Sequence, residues 1–253
     1  MLLKAIIVIA LIFTYTDRAE ALTAKEIMVK VDTRKVPDDV KSDMTMRLIN
    51  KRGKERKRRI RVIRKAEEKQ IMWFLEPADV RGTSFLRIEK KGGFDDMRLY
   101  LPAFKKVRRI TSSARSDRFM GSDFTYEDMT IREIEDYTYT LLSDNTMDGK
   151  TCYCVESIPK KKADTDYGRI VSWVWKDEFI VIYEEIFDKK GKLFKIKQVS
   201  DFKPIKSYQI FQRIEKQNVK KRHRTVLTMD NIKIDTGVKS GLFHERSLKR
   251  IPR

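Results

Sequence analysis

Apolar and polar residues alternate with a period of two along most of this chain. Met44, Met46 and Leu48 are separated by polar neighbours; Met97, Leu99 and Leu101 repeat the pattern, and Val171, Trp173 and Trp175 do so again. Residues spaced in this way share one face of a β-strand. Runs of the same kind recur as far as Met229, punctuated by turn residues such as Lys51-Arg52-Gly53-Lys54, Gly92-Gly93 and Asp148-Gly149. The pattern predicts about eleven strands with few helices, in one large antiparallel sheet. A sheet of that width does not stay flat and is expected to curl into a barrel or half-barrel. Helical spacing appears only near the ends. Thr23 is followed three positions on by Glu26 and by apolar residues at helical intervals, which predicts a capped helix ending before Pro37. Leu242, Phe243 and Leu248 give Ser240 to Arg250 the pattern of a short amphipathic helix.

One stretch in the middle breaks the alternation. From Arg118 to Met129, large apolar side chains (Phe119, Met120, Phe124, Tyr126) surround Gly121 and three carboxylates, Asp123, Glu127 and Asp128. Gly121 is suited to a positive φ, and Ser122 or Asp123 to opening a helical turn after it. The segment reads either as a crossover loop plugging one end of the core or as a gate over a cavity. The apolar stripes leave the same choice open, because a Met or aromatic stripe serves equally as plain core or as an adaptable lining for apolar ligands.

Before these elements, Lys4, the apolar run Ala5 to Phe13 and Ala19-Glu20-Ala21 have the order of a signal peptide cleaved after Ala21. The chain is therefore expected to be exported, with residues 22–253 as one domain. The formal net charge is +19. Lys4 and Arg18 balance Asp17 and Glu20, so cleavage leaves that charge in place. No nucleic-acid recognition motif accompanies it, and for an exported chain anionic lipid headgroups are the expected counter-charge. The strand from Glu55 to Lys65 concentrates the charge: Arg58, Arg59, Arg61 and Arg64 surround Ile60, Val62 and Ile63. A blunted sheet edge accounts for them, and so does contact with a membrane or partner.

Cys152 and Cys154 are two apart in a strand, too far for an unstrained mutual disulfide, and are read as buried thiols. No Gly-rich phosphate loop, H-E-x-x-H or G-x-S-x-G is present. With His223 and His244 as the chain's two histidines, a nucleophile–base pair has few candidates. Asp123, Glu127 and Asp128 would need to converge in a cleft to act as acid and base or to hold a cation. The expectation is no enzyme, no cofactor and no metal.

Several stretches resemble the outer membrane lipoprotein-sorting proteins of the LolA-like superfamily. They are Trp73 to Leu86 (WFLEPADVRGTSFL), Leu99-Tyr100-Leu101-Pro102 with Lys106 to Ile110, and Phe119 to Asp128, followed by Asp148-Gly149-Lys150 with Tyr153 and the region from Asn231 to Leu248. The resemblance implies a mainly β (α+β) fold, an open eleven-stranded half-barrel with helices over its concave side and a cavity that accepts acyl chains. It implies a periplasmic carrier of a lipid or lipoprotein, in some relatives beside an inner-membrane transporter complex, and a monomer is expected. On this reading Met44, Met46, Trp73, Leu99, Leu101, Trp173 and Trp175 line the cavity. Phe119, Met120, Gly121 and Phe124 gate it, and Arg58, Arg59, Arg61 and Arg64 meet a membrane or partner. The rival reading is a non-catalytic interaction module, an adaptor or envelope-stress sensor, with the same sheet and a filled core.

Overall fold

A computed structural model describes residues 21–251. The expected signal segment therefore lies outside the described residues, apart from Ala21. The first element is helix α1 (Ala24–Asp32), opened by a reciprocal capping box in which Thr23 accepts from the Glu26 amide and Glu26 accepts from the Thr23 amide. Ile27 is fully buried on its inner face.

Fourteen strands follow, all in one antiparallel sheet, rather than about eleven. They are β1 (Asp39–Ile49), β2 (Glu55–Lys65), β3 (Lys69–Glu76), β4 (Ser84–Ile88), β5 (Asp96–Leu101), β6 (Lys106–Ile110) and β7 (Tyr137–Leu141). Then come β8 (Asn145–Met147), β9 (Lys150–Pro159), β10 (Tyr167–Trp175), β11 (Ile180–Asp188), β12 (Leu193–Ile205), β13 (Tyr208–Asn218) and β14 (His223–Ile234). The spatial order is β6-β5-β4-β3-β2-β1-β14-β13-β12-β11-β10-β9-β7, with the short β8 paired to β9. Neighbours in sequence are mostly neighbours in space, as expected where turns of two to seven residues join antiparallel strands. β1 and β14, from opposite ends of the chain, pair in the middle of the sheet.

The two edge strands, β6 and β7, are consecutive in sequence. Residues 111–136 must therefore cross from one edge of the sheet to the other, and they do so over the inner face as a strap of short 3₁₀ turns. Its first half carries Phe119, Phe124 and Tyr126 into a core with Phe74, Phe85, Met97 and Ile110 from β3 to β6. Phe119 lies edge-on to Phe85, centroids 5.0 Å apart, and to Tyr126 at 5.8 Å. The other end of the inner face is closed by α1, whose Ile27 packs with Val155 and Val174.

The C-terminal segment folds over the opposite face of the sheet. A 3₁₀ turn (Ser240–Leu242) and helix α2 (Glu245–Leu248) place Val238, Phe243 and Leu248 against Ile71, Trp73 and Leu86. The Trp73 indole donates to Ser247 O (3.0 Å) and Ser84 Oγ donates to Leu248 O (2.7 Å). Covering elements thus lie on both faces, whereas the resemblance placed helices over the concave side.

Candidate functional site

Alternation along each strand sends every second side chain to the inner face, and between the strap, α1 and the centre of the sheet these enclose a cleft of about 690 Å³. Met44, Met46, Val62, Met72, Leu227 and Met229 form its floor. Cross-strand pairing brings them together: Met44 faces Met229 and Met46 faces Leu227 across β1 and β14, and Val62 faces Met72 across β2 and β3. Phe119, Phe124 and Met129 of the strap close one side. Lys30, Arg34, Lys35 and Tyr208 also line it, together with the acidic Glu67, Asp177 and Glu178. The lining is thus methionine-rich on its floor and carries charges of both signs around it. Methionine, unbranched and polarizable, adapts to ligands of variable shape.

The expected lining residues separate. Met44 and Met46 lie in the floor. Leu99 and Leu101 are on the inner face but pack into or against the aromatic core under the strap, and they do not line the cleft. Trp73 does not line it either, because it points to the opposite face, where α2 covers it. Trp173 and Trp175 flank Val174, the residue that α1 covers, so alternation puts them on the other face. There they lie edge-on to Tyr183 and Phe202. The buried free thiols of Cys152 and Cys154 alternate in the same way on β9.

Of the expected gate, Phe119 and Phe124 line the cleft, and Met120 packs against the core beside it. Gly121 has the positive φ expected of it, 72°, and Met120 before it is also left-handed at 48°. The helical turn comes later than Ser122 or Asp123 would start it, at Glu127–Met129. Ser122 instead turns inward, donating its hydroxyl to Phe119 O at 2.7 Å.

The basic strand is divided by its own alternation. Arg58 and Arg64 take the inner face, where Arg58 donates to Met120 O (2.5 Å) and so ties the strap to β2. Arg64 lines the cleft and pairs with Glu67 at 3.4 Å. Arg59 and Arg61 take the outer face, paired with Glu76 (3.3 Å) and Asp43 (3.2 Å). The four arginines therefore do not form one patch.

The three strap carboxylates do not converge. Asp123 Oδ2 contacts His223 Nδ1 (2.6 Å) and accepts from Thr225 Oγ1 (2.8 Å), both on β14, and Arg118 lies 3.5 Å from Oδ1. The carboxylate, not the imidazole, is the central group, so no base is set against the hydroxyl and the trio works as a clasp. Glu127 accepts from the Thr165 hydroxyl, and burial raises its pKa. Asp128 enters the sheet between Lys216 Nζ (2.5 Å) and Lys195 Nζ (3.4 Å), with Tyr167 Oη donating at 2.8 Å. Burial opposes its ionised form, but the two ammonium groups prevail and hold the carboxyl well below its usual range. Burial pulls Lys216 the other way, down to about 8, against the pull of Asp128. Next to this cluster Glu184 is paired with Arg132 of the strap (2.5 Å) and with Lys197 (3.1 Å). Sequence reasoning missed Lys195, Lys216 and Glu184, since a charged residue at an alternate strand position looks the same whether it faces water or a buried counter-charge.

Among the described residues no group of His, Cys, Asp and Glu is arranged to hold a metal ion, and no helix is long and apolar enough to cross a membrane.

A family profile described as "Uncharacterized protein" matches residues 66–250. Among solved structures, one from Vibrio parahaemolyticus described as an outer membrane lipoprotein-sorting protein domain is 31% identical. It superposes with a TM-score of 0.81 over 90% of this chain and 98% of that one. A DUF1329 family protein from Desulfovibrio piger is 29% identical, with a TM-score of 0.83 over 89% and 97% of the two chains. A LolA superfamily protein from Nitrosomonas europaea is 22% identical and shares the fold, with a TM-score of 0.70 over 90% and 100%. No curated protein matches the chain.

Proposed function

The chain belongs to the family of the outer membrane lipoprotein-sorting protein domain that it matches at 31% identity and shares the fold of a LolA superfamily protein, and on that premise we propose that it is a periplasmic carrier that shields acyl chains of a lipoprotein or lipid on their way to the outer membrane. The observation that carries this reading is the cleft: about 690 Å³ floored by Met44, Met46, Met72 and Met229. That size falls within the range of about 300–1,000 Å³ common to small-molecule sites. Exposing an acyl chain to water costs about 0.8 kcal/mol per methylene, so a carrier has to offer a comparable apolar lining. The proposed lining is Met44 and Met46 with their neighbours on β2, β3 and β14.

The proposed gate is the strap around Phe119, Met120, Gly121 and Phe124. Two clasps hold it, Arg58 on Met120 O and the His223–Asp123–Thr225 trio, while Met120 and Gly121 between them carry the left-handed backbone suited to a hinge. The rival interaction module draws support from the aromatic core under the strap, which fills the β3 to β6 half of the inner face. The open cleft in the other half favours the carrier.

The test is native mass spectrometry, with organic extraction, of protein purified from a periplasm without detergent. A carrier gives a lipid or lipopeptide adduct near one per chain, and Met229→Lys, which puts a charge at a half-buried position of the cleft floor, loses it while still folding. An apo mass, together with no uptake from labelled vesicles, sinks the carrier reading in favour of the interaction module.

A further inference from the structure

In an antiparallel sheet successive connections alternate between the two ends of the strands, so topology decides which turns share a rim. The turns at 50–54, 77–83, 102–105, 160–166, 189–192 and 219–222 all lie at one end. Together they carry fourteen Lys or Arg, every one exposed, against three Asp. The turns at the other end, 66–68, 89–95, 148–149, 176–179 and 206–207, carry four basic residues against seven acidic ones. The chain's excess positive charge is therefore concentrated on one rim. The exposed start of β2, with Arg56, Lys57 and Arg59, extends it. At the tip of the 102–105 turn, Phe104 is 69% exposed, well beyond any other large apolar side chain among the described residues.

We propose that this rim is a docking surface for an anionic lipid bilayer, with Phe104 as its apolar tip. Two features favour a bilayer over an acidic protein. Eleven of the fourteen cations are lysines, compact charges without the planar fork that fits one carboxylate, whereas protein interfaces are enriched in arginine and depleted of lysine. The charge is also spread over six separate turns along a rim, which suits a diffuse anionic plane, and an aromatic tip among lysines suits the boundary between headgroups and acyl chains. The proposal stands on charge placement and does not require that the cleft hold cargo.

The experiment is flotation of the exported protein with vesicles of phosphatidylcholine alone and with phosphatidylglycerol added. Binding is expected only to the anionic vesicles, falling steeply with salt. Each lysine near such a surface contributes about five-fold to partitioning at moderate salt, so K189Q/K190Q/K220Q/K221Q lowers it by at least about 100-fold. K90Q/K91Q, on the opposite rim, changes it by less than about two-fold. All these side chains are exposed, so the thermal melts stay alike. Phe104→Trp reports insertion by a blue shift on vesicle addition. Absence of binding to anionic vesicles at low salt, binding equal with and without phosphatidylglycerol, or equal losses for the two sets of variants would each overturn the proposal. The first of these would pass the rim to an acidic protein surface. Cargo load in the rim variants, read by native mass spectrometry, keeps failure of docking distinct from failure of the carrier reading.

Discussion

Replacing Asp128 by asparagine takes one charge and almost no volume from the point where the strap meets the sheet. The carboxylate lies between Lys216 and Lys195, accepts from Tyr167 Oη, and its Oδ2 also takes the Thr125 amide at 2.8 Å. The two lysine side chains are only 2% and 3% exposed. Asparagine keeps an acceptor and leaves both ammonium groups buried without their counter-charge. Unpairing a buried ion in this way costs about 3–5 kcal/mol. Lys216, already pulled down to about 8, has an outlet: it sheds its proton in the native variant and keeps it in the unfolded chain. Its native pKa then falls below 8, and over the window between that lower value and 8 the wild-type fold holds a proton that the variant does not. The stability gap between the two proteins therefore narrows as pH rises towards 8 and levels off above it. In the acid direction, Asp128 is held below its unfolded value, so its contribution is present above the usual carboxylate pKa and is lost as pH falls below it, which closes the gap again. Urea unfolding followed by tryptophan fluorescence, at several pH values between acid and pH 9, measures this directly. A gap under about 1 kcal/mol at neutral pH, or one that does not narrow towards pH 8, would refute the reasoning. Lys216→Met added to Asp128→Asn should recover part of the loss, because it removes the stranded charge.

Three further predictions concern other parts of the fold. Ile27→Ala empties the fully buried anchor of α1 against Val155 and Val174 and should cost about 2–5 kcal/mol, read as a lower melting temperature. Gly168→Ala would bring a Cβ to 2.5 Å from Asp188 O and 2.9 Å from Lys189 Cα. Those are backbone atoms that cannot swing aside, so a loss of about 1–3 kcal/mol is expected in urea, and an unchanged midpoint would contradict the close approach of β10 and β11. Burial, and the neighbouring Cys152, push the Cys154 thiol up to about 11, and burial raises Cys152 too. A thiol reagent at pH 8 should therefore label neither until denaturant is added, whereas prompt labelling would contradict their placement.

Much of the framework was legible in the sequence because it depends on local chemistry. Thr23 and Glu26 cap α1 through contacts three residues apart. The alternation of Met44, Met46 and Leu48 marked β1, and Gly121 marked the backbone turn of the strap, where steric freedom is a property of the residue itself. The paired stretches from Trp73 to Leu86 and from Phe119 to Asp128 carried the family resemblance, which the structural likeness bears out.

What the sequence could not decide was which face of each strand turns inward. Alternation defines two faces and assigns neither, and the choice is made by what covers them. The C-terminal segment claims Trp73, more than 160 residues away in the chain, while α1 takes Val174 and leaves Trp173 and Trp175 on the other side. The same rule divided Arg58 and Arg64 from Arg59 and Arg61. Lys195 and Asp128 meet across 67 residues of chain. A lysine at an alternate strand position carries no local sign of a buried partner, because desolvation and pairing are properties of the assembled sheet and strap. The gathering of basic turns on one rim has the same origin: the residues are written in the sequence, but the end of the sheet they share is fixed only by the order in which the strands pair.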